Sequence, residues 1–172
     1  MSRPIRIVSA LAVVMALAVH TGPALAAVKP GAPAPVLQGR DLVGHDIDLA
    51  GERGRVVIVS FWATWCAPCR QEMPILNGAY LRHRAQGLDV IGVSADRARN
   101  LDDVKQAVRG LDYPILMGAG ASQNGFGLPR ALPQTFVIDR KGVVRAVFGV
   151  LGQPVSEAAI EQVLADLLAE PA

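Results

Sequence analysis

The 172-residue chain predicts an α/β layer fold: a central mixed sheet, parallel in its middle and antiparallel at one edge, with helices on both faces. Three observations carry that expectation. RVVIVSFW at 55–62 is a nearly unbroken apolar run rich in β-branched residues, the pattern of a strand buried on both faces, which implies parallel neighbours under covering helices. Strand-like and helix-like segments alternate after it. Asp139-Arg140-Lys141-Gly142 then joins two more apolar runs as a hairpin.

Taken in order, residues 1–26 read as a secretory signal outside the fold. Met1 to Arg6 is basic, Ile7 to Val19 is apolar except for Ser9, and Ala24-Leu25-Ala26 is a small-x-small end. The competing reading is an uncleaved anchor, but the apolar run is shorter than the roughly 20 residues a spanning helix needs. Residues 27–35 are Pro-rich and expected to be extended; residues 36–172 form the folded domain. Val36-Leu37 and Ile47 to Leu49 read as short strands around Gly44, followed by the buried strand at 55–62. A helix is expected from about Cys66 to Gln86, ended by Gly87. Leu88 to Ser94 is the next strand, and Asn100 can cap a helix carrying Leu101, Val104 and Val108. Tyr113 to Met117 reads as a strand and Gly118 to Gly127 as a loop with a helical turn. Thr135 to Ile138 and Val143 to Phe148 form the hairpin. Ser156 caps a last helix with Ile160, Val163, Leu164, Leu167 and Leu168 on one face.

Hydrophobic residues make up 51% and charged residues 19% of the chain, too apolar a balance for disorder. The net charge of +2 gives no argument for a nucleic-acid or anionic-membrane partner. Arg3 and Arg6 are the only charged residues before Lys29, so the chain from residue 27 onward is formally neutral. Two cysteines exclude a multi-disulfide scaffold and an all-cysteine zinc cage.

Both cysteines stand in Trp65-Cys66-Ala67-Pro68-Cys69, between the buried strand and a helix start. A helix N-terminus offers unpaired N–H groups and a partial positive charge, both of which favour a thiolate. Cys66, at the start, is the expected exposed nucleophile. Cys69, one turn on, resolves the mixed disulfide. Pro68 costs little in the first turn and stiffens it. A purely structural disulfide here would close too small a loop to stabilise much. A zinc site would have to draw on His45 and His83, with no second cysteine pair beside them. Two inert buried thiols do not suit the Trp-flanked helix start. CxxC in a βαβ context therefore reads as redox chemistry, with no metal and no cofactor.

FWATWCAPCRQEMP at 61–74 and LPQTFVID at 132–139 make the chain resemble the TlpA/ResA-like thiol-disulfide oxidoreductases of bacterial envelopes, in the thioredoxin superfamily. The resemblance runs from about Gly31 to Leu168. It implies a thioredoxin-like fold with an N-terminal β-hairpin and an αβ insertion over Leu101 to Met117. It makes Pro133 a cis-proline beside the disulfide. It also implies a substrate groove formed and supported by Trp65, Pro68, Leu132, Pro133 and Thr135, with Trp65 shielding the sulfurs. Glu72 matches an acid three residues after the second cysteine and becomes a proton carrier for the thiols, because Ser60 stands where thioredoxin has a buried acid. The alternative for Glu72 is an exposed helix acid. Two departures, Pro129 and Gln134, fall in the groove and bear on partner identity.

The implied protein is a periplasmic reductant of specific partner-protein disulfides, active in cell redox homeostasis. Its partners are disulfide-containing or dithiol client proteins and a membrane-embedded electron donor of the thiol-transfer type. It is expected to be a monomer with no nucleic-acid partner. Ala67-Pro68 offers the thiolate no charge, which places the potential nearer thioredoxin, about −270 mV, than DsbA, about −120 mV. The alternatives are a redox-inert thioredoxin-like interaction module and a disulfide oxidase or isomerase. A peroxiredoxin-type peroxidase lacks its upstream Pro and Thr pattern here.

Overall fold

The computed structural model describes residues 28–150 and 152–171. The signal segment expected over 1–26 lies outside them. Strand β3 (Val56–Trp62) is buried at every position, as an apolar run with no polar face requires. It pairs in parallel with β4 (Leu88–Ser94), from Val56↔Leu88 to Trp62↔Ser94, and antiparallel with β7 (Gln134–Ile138) on its other side. β5 (Ile115–Met117) adds to β4 in parallel, and β8 (Val144–Gly149) adds to β7 antiparallel. The order is β5-β4-β3-β7-β8, a mixed sheet with its antiparallel pair at one edge.

Alternate residues of β3 feed two cores. Val56, Ile58 and Trp62 join Met73, Leu76 and Ala79 of helix α1 (Ala67–His83) and Ile160, Leu164 and Leu167 of helix α3 (Glu157–Ala169). Val104 of helix α2 (Leu101–Ala107) joins the same cluster. Val57, Val59 and Phe61 face the other way, onto Leu37, Leu49 and Phe136. That side is closed by a 3-10 turn at Leu49–Glu52 and a small antiparallel sheet. The sheet is built from β1 (Leu37–Arg40), β2 (Asp46–Asp48) and β6 (Gln123–Asn124). Helical cover is therefore uneven between the faces.

β6 lies in a stretch that reads as loop from sequence. Its two residues are polar and have no local strand signal. They pair because Leu37↔Asn124 and Gln38↔Gln123 come together over a long separation. Asn100 does not accept a capping bond; its amide instead donates to the Asp103 carboxylate at 3.3 Å. Ser156 does cap α3, its hydroxyl accepting from the Ala159 amide at 3.2 Å. α1 ends three residues before Gln86, and a 3-10 turn carries the chain to Gly87 at φ +96°, a left-handed backbone that glycine adopts without strain.

The registers place the site. Trp62 opposite Ser94, Ser94 opposite Met117, Phe61 opposite Gln134 and Gln134 opposite Gly149 all lie at one end of the sheet. The segments that follow Trp62 and Ser94, and the one that precedes Gln134, therefore meet there.

Candidate active site

Cys66 is the N-cap of α1, with Ala67 and Pro68 in its first turn. Cys69 follows one turn on, and the two sulfurs are joined in a disulfide with Cα atoms 5.3 Å apart. The Cys69 N–H donates to Cys66 Sγ at 3.3 Å. On reduction the same donor faces a Cys66 thiolate, together with the positive end of the helix, so negative charge is favoured at Cys66. Both sulfur residues belong to the α1/α3 core cluster beside Phe148 and Val155. Cys66 is 5% exposed and Cys69 1%. The expectation of an openly exposed Cys66 is therefore corrected, though Cys66 remains the more accessible of the two. Packing of the helix start against the strand-end segments covers both.

Leu132 is half-buried and packs against both cores, and the Leu132–Pro133 peptide bond is cis. Pro133 precedes β7 directly, at the same sheet end as the cysteine loop. A groove of about 460 Å³ beside it is lined by Arg130, Ala131, Gln134, Phe148, Gly149 and Gly152, among others. Thr135 is buried within the sheet, where its hydroxyl and that of Ser60 share a 2.9 Å hydrogen bond. It braces the strand that directly follows Pro133. Pro68 is exposed at the helix start. Trp65 is 71% exposed and forms a wall of a separate cleft with Thr64, Asp96 and Arg97.

Glu72 is only 7% exposed, which sets aside its reading as a surface acid. Its Oε1 accepts a long 3.4 Å bond from the Val155 amide, and its buried Oε2 has no partner among the described residues. Burial pushes its carboxyl above the usual range, and the Val155 amide opposes that only in part. A carboxyl tuned upward, one helical turn from Cys69, is better matched to exchanging a proton with a thiol.

Asp96 escapes the sequence reading. It is buried, and its carboxylate accepts from the Thr64 amide at 2.8 Å and the Thr64 hydroxyl at 2.7 Å. The Ser94 hydroxyl donates to it at 2.9 Å. This knot ties the end of β4 to the residue two before Cys66. The signal available was Ser94-Ala95-Asp96 at the end of an apolar strand, level with the cysteine loop.

A cleft of about 530 Å³ lies elsewhere, between the β1–β2 turn and the α2–β5 turn. It contains neither cysteine, so the chemistry assigns the site to the strand ends. The described residues contain no cluster of three metal-ligating side chains. No helix among them is long and apolar enough to cross a membrane.

The model of the AhpC/TSA family matches residues 30–147. The chain is 36% identical over 122 residues to the thiol-disulfide oxidoreductase ResA of Geobacillus kaustophilus, covering 70% of each protein. It is 27% identical to ResA of Bacillus subtilis over 125 residues, 72% of this chain and 70% of that protein. Among solved structures, a thiol:disulfide interchange protein DsbE from Chlorobium tepidum superposes with a TM-score of 0.69 at 27% identity, covering 83% of this chain and 99% of that one. A secreted thiol-disulfide isomerase from Corynebacterium glutamicum superposes with a TM-score of 0.63 at 30% identity, covering 80% and 86%.

Proposed function

The chain belongs to the AhpC/TSA family, among the ResA-like thiol-disulfide oxidoreductases of the thioredoxin superfamily, and from that premise we propose that it reduces disulfides of specific partner proteins through Cys66 and Cys69. The single observation that carries the reading is the cysteine pair at the start of α1, with Cys66 Sγ accepting from the Cys69 amide.

The cycle starts from the dithiol. The Cys66 thiolate attacks one sulfur of the client disulfide; that bond breaks, and the first client thiolate leaves and takes a proton. Cys69 loses its proton to the Glu72 carboxylate and attacks Cys66 Sγ, releasing the second client thiolate. Two electrons have passed to the client, and the protein holds the Cys66–Cys69 disulfide seen here. Pro133 and the groove beside it hold the client backbone extended next to the sulfurs.

The basic, apolar and small-residue order of residues 1–26 supports export to the periplasm as a signal segment, ahead of an extended 27–35 and a thioredoxin-like domain over 36–172. In that oxidising compartment a membrane-embedded dithiol donor recharges the protein, which acts as a monomer. The uncharged Ala67-Pro68 pair supports a reductant's potential.

Trapping tests the reading. Cys69→Ser accumulates mixed disulfides with clients through Cys66, whereas Cys66→Ser does not. Traps formed through Cys69 would reverse the roles, and a potential above about −150 mV against a dithiol series would make the protein an oxidant.

A further inference from the structure

Resting on that reductase reading, we propose that the cleft between Trp65 and the Arg97–Asn100 turn is a subsite for an acidic side chain next to the client's disulfide. The cleft holds about 490 Å³ and is lined chiefly by Thr64, Trp65, Asp96, Arg97 and Arg99. It opens at the residue directly before Cys66, so a client segment under attack there lays its neighbouring residues across it.

The floor of the cleft is fixed. Asp96 is held by the Thr64 amide, the Thr64 hydroxyl and the Ser94 hydroxyl. Its oxygens are thus committed inward and form no ion pair with the arginines above. Arg97 and Arg99 are exposed and have no ion-pair partner among the described residues. Arg40, Arg55, Arg82 and Arg145 each have an acid. Arg140 donates to backbone carbonyls, and Arg53, Arg84 and Arg109, away from the cleft, also lack an acid among the described residues. Arg70, directly after Cys69, and Arg130, in the groove beside Pro133, are likewise exposed and unpaired.

The exposed acids nearest the cleft in the chain are Asp102 and Asp103 in the first turn of α2, and Asp103 accepts from the Asn100 amide. The reacting end therefore carries four exposed, unpaired guanidinium groups, Arg70, Arg97, Arg99 and Arg130, against the exposed Asp102 and Asp103. Guanidinium favours carboxylate through its planar, forked donors. Trp65 supplies an apolar wall for the methylenes of the same side chain.

The test uses the reduced full-length protein and three peptides, each with one intramolecular disulfide, flanked by aspartates, by lysines or by neutral residues. Stopped-flow tryptophan fluorescence follows a single turnover as Cys66 and Cys69 become oxidised. At an ionic strength of about 0.01 M the aspartate peptide is expected to react about tenfold faster than the lysine peptide. The preference should shrink toward parity near 1 M, where charges are screened within about 3 Å. R97E/R99E should invert the preference while leaving the neutral peptide's rate within about twofold. K105E/R109E, the same charge change at and just past the C-terminal end of α2, should leave it intact. Equal rates for the charged peptides, or a preference that survives R97E/R99E, overturns the subsite. If the neutral peptide also fails to oxidise the protein, the reductase reading falls and the subsite falls with it.

Discussion

The two ends of the five-stranded sheet treat their polar groups in opposite ways. At the end where β3 and β4 begin, Arg55 pairs with Asp89. The Arg140 guanidinium donates to the carbonyls of Gly54, Gln86, Leu168 and Glu170. Asp139 accepts from the Lys141 and Val143 amides and from Arg145. Burial alone would push the Asp139 carboxyl up, but these donors outweigh it and hold it below the usual range. At the disulfide end, Glu72 is buried with one long hydrogen bond and an unpartnered oxygen, and its carboxyl is pushed up. The arginines there lack acids and Trp65 stands in solvent. The first end closes the fold with paired groups, Arg55 on Asp89, Arg140 on four carbonyls and Asp139 on three donors. The second leaves a carboxylate oxygen and several guanidinium groups unpaired, where the proposed function would bring a client and a proton.

The contrast is sharpest at Arg140. Arg140→Ala should remove four hydrogen bonds to backbone carbonyls and lower stability by about 2–4 kcal/mol in urea denaturation. Thiol reactivity per folded molecule should stay unchanged. A loss of reactivity in the folded fraction would show that the two ends are coupled.

Asp96 is the exception at the disulfide end, a carboxylate with all its donors in place. Asp96→Ala leaves the Thr64 amide and two hydroxyls without their acceptor, at a cost of about 1–3 kcal/mol. Here stability and chemistry should fall together, with client reduction slowed beyond the unfolded fraction because the loop before Cys66 is no longer held. Unchanged kcat/KM in the folded fraction would make Asp96 a purely structural group.

The smallest effects are the most diagnostic, because they differ in sign. Asp139 has a lowered folded pKa, so its contribution is present above the ordinary carboxylate value and lost as pH falls through the folded value. Asp139→Asn should therefore destabilise at neutral pH, and by less in acid. Glu72 has a raised folded pKa, so its ionisation weakens the fold as pH climbs from the ordinary value through the raised one. Glu72→Gln should match the parent protein in acid and melt a few degrees higher at neutral pH. It should also shift the pH profile of thiol reactivity. Melting curves across pH 3–8, the range spanning both carboxyl transitions, measure both; effects of the same sign would break the comparison between the ends.

What the sequence determined on its own is what short stretches of chain encode. β3 and β4 were legible because an apolar β-branched run has only one stable place, the middle of a sheet. The α3 start was legible because Ser156 supplies its own cap. The disulfide was legible because CxxC at a helix start carries spacing, dipole and chemistry within four residues. Tertiary structure alone decided the rest. β6 pairs with β1 across the fold, and Asp96 reaches Thr64 thirty-two residues away. Glu72 meets the Val155 amide eighty-three residues on. A helix acid looks the same in sequence whether it ends in water or under a distant loop; its charge, and so its chemistry, is set by which segments dock over it, and docking is a sum over contacts that no local window contains.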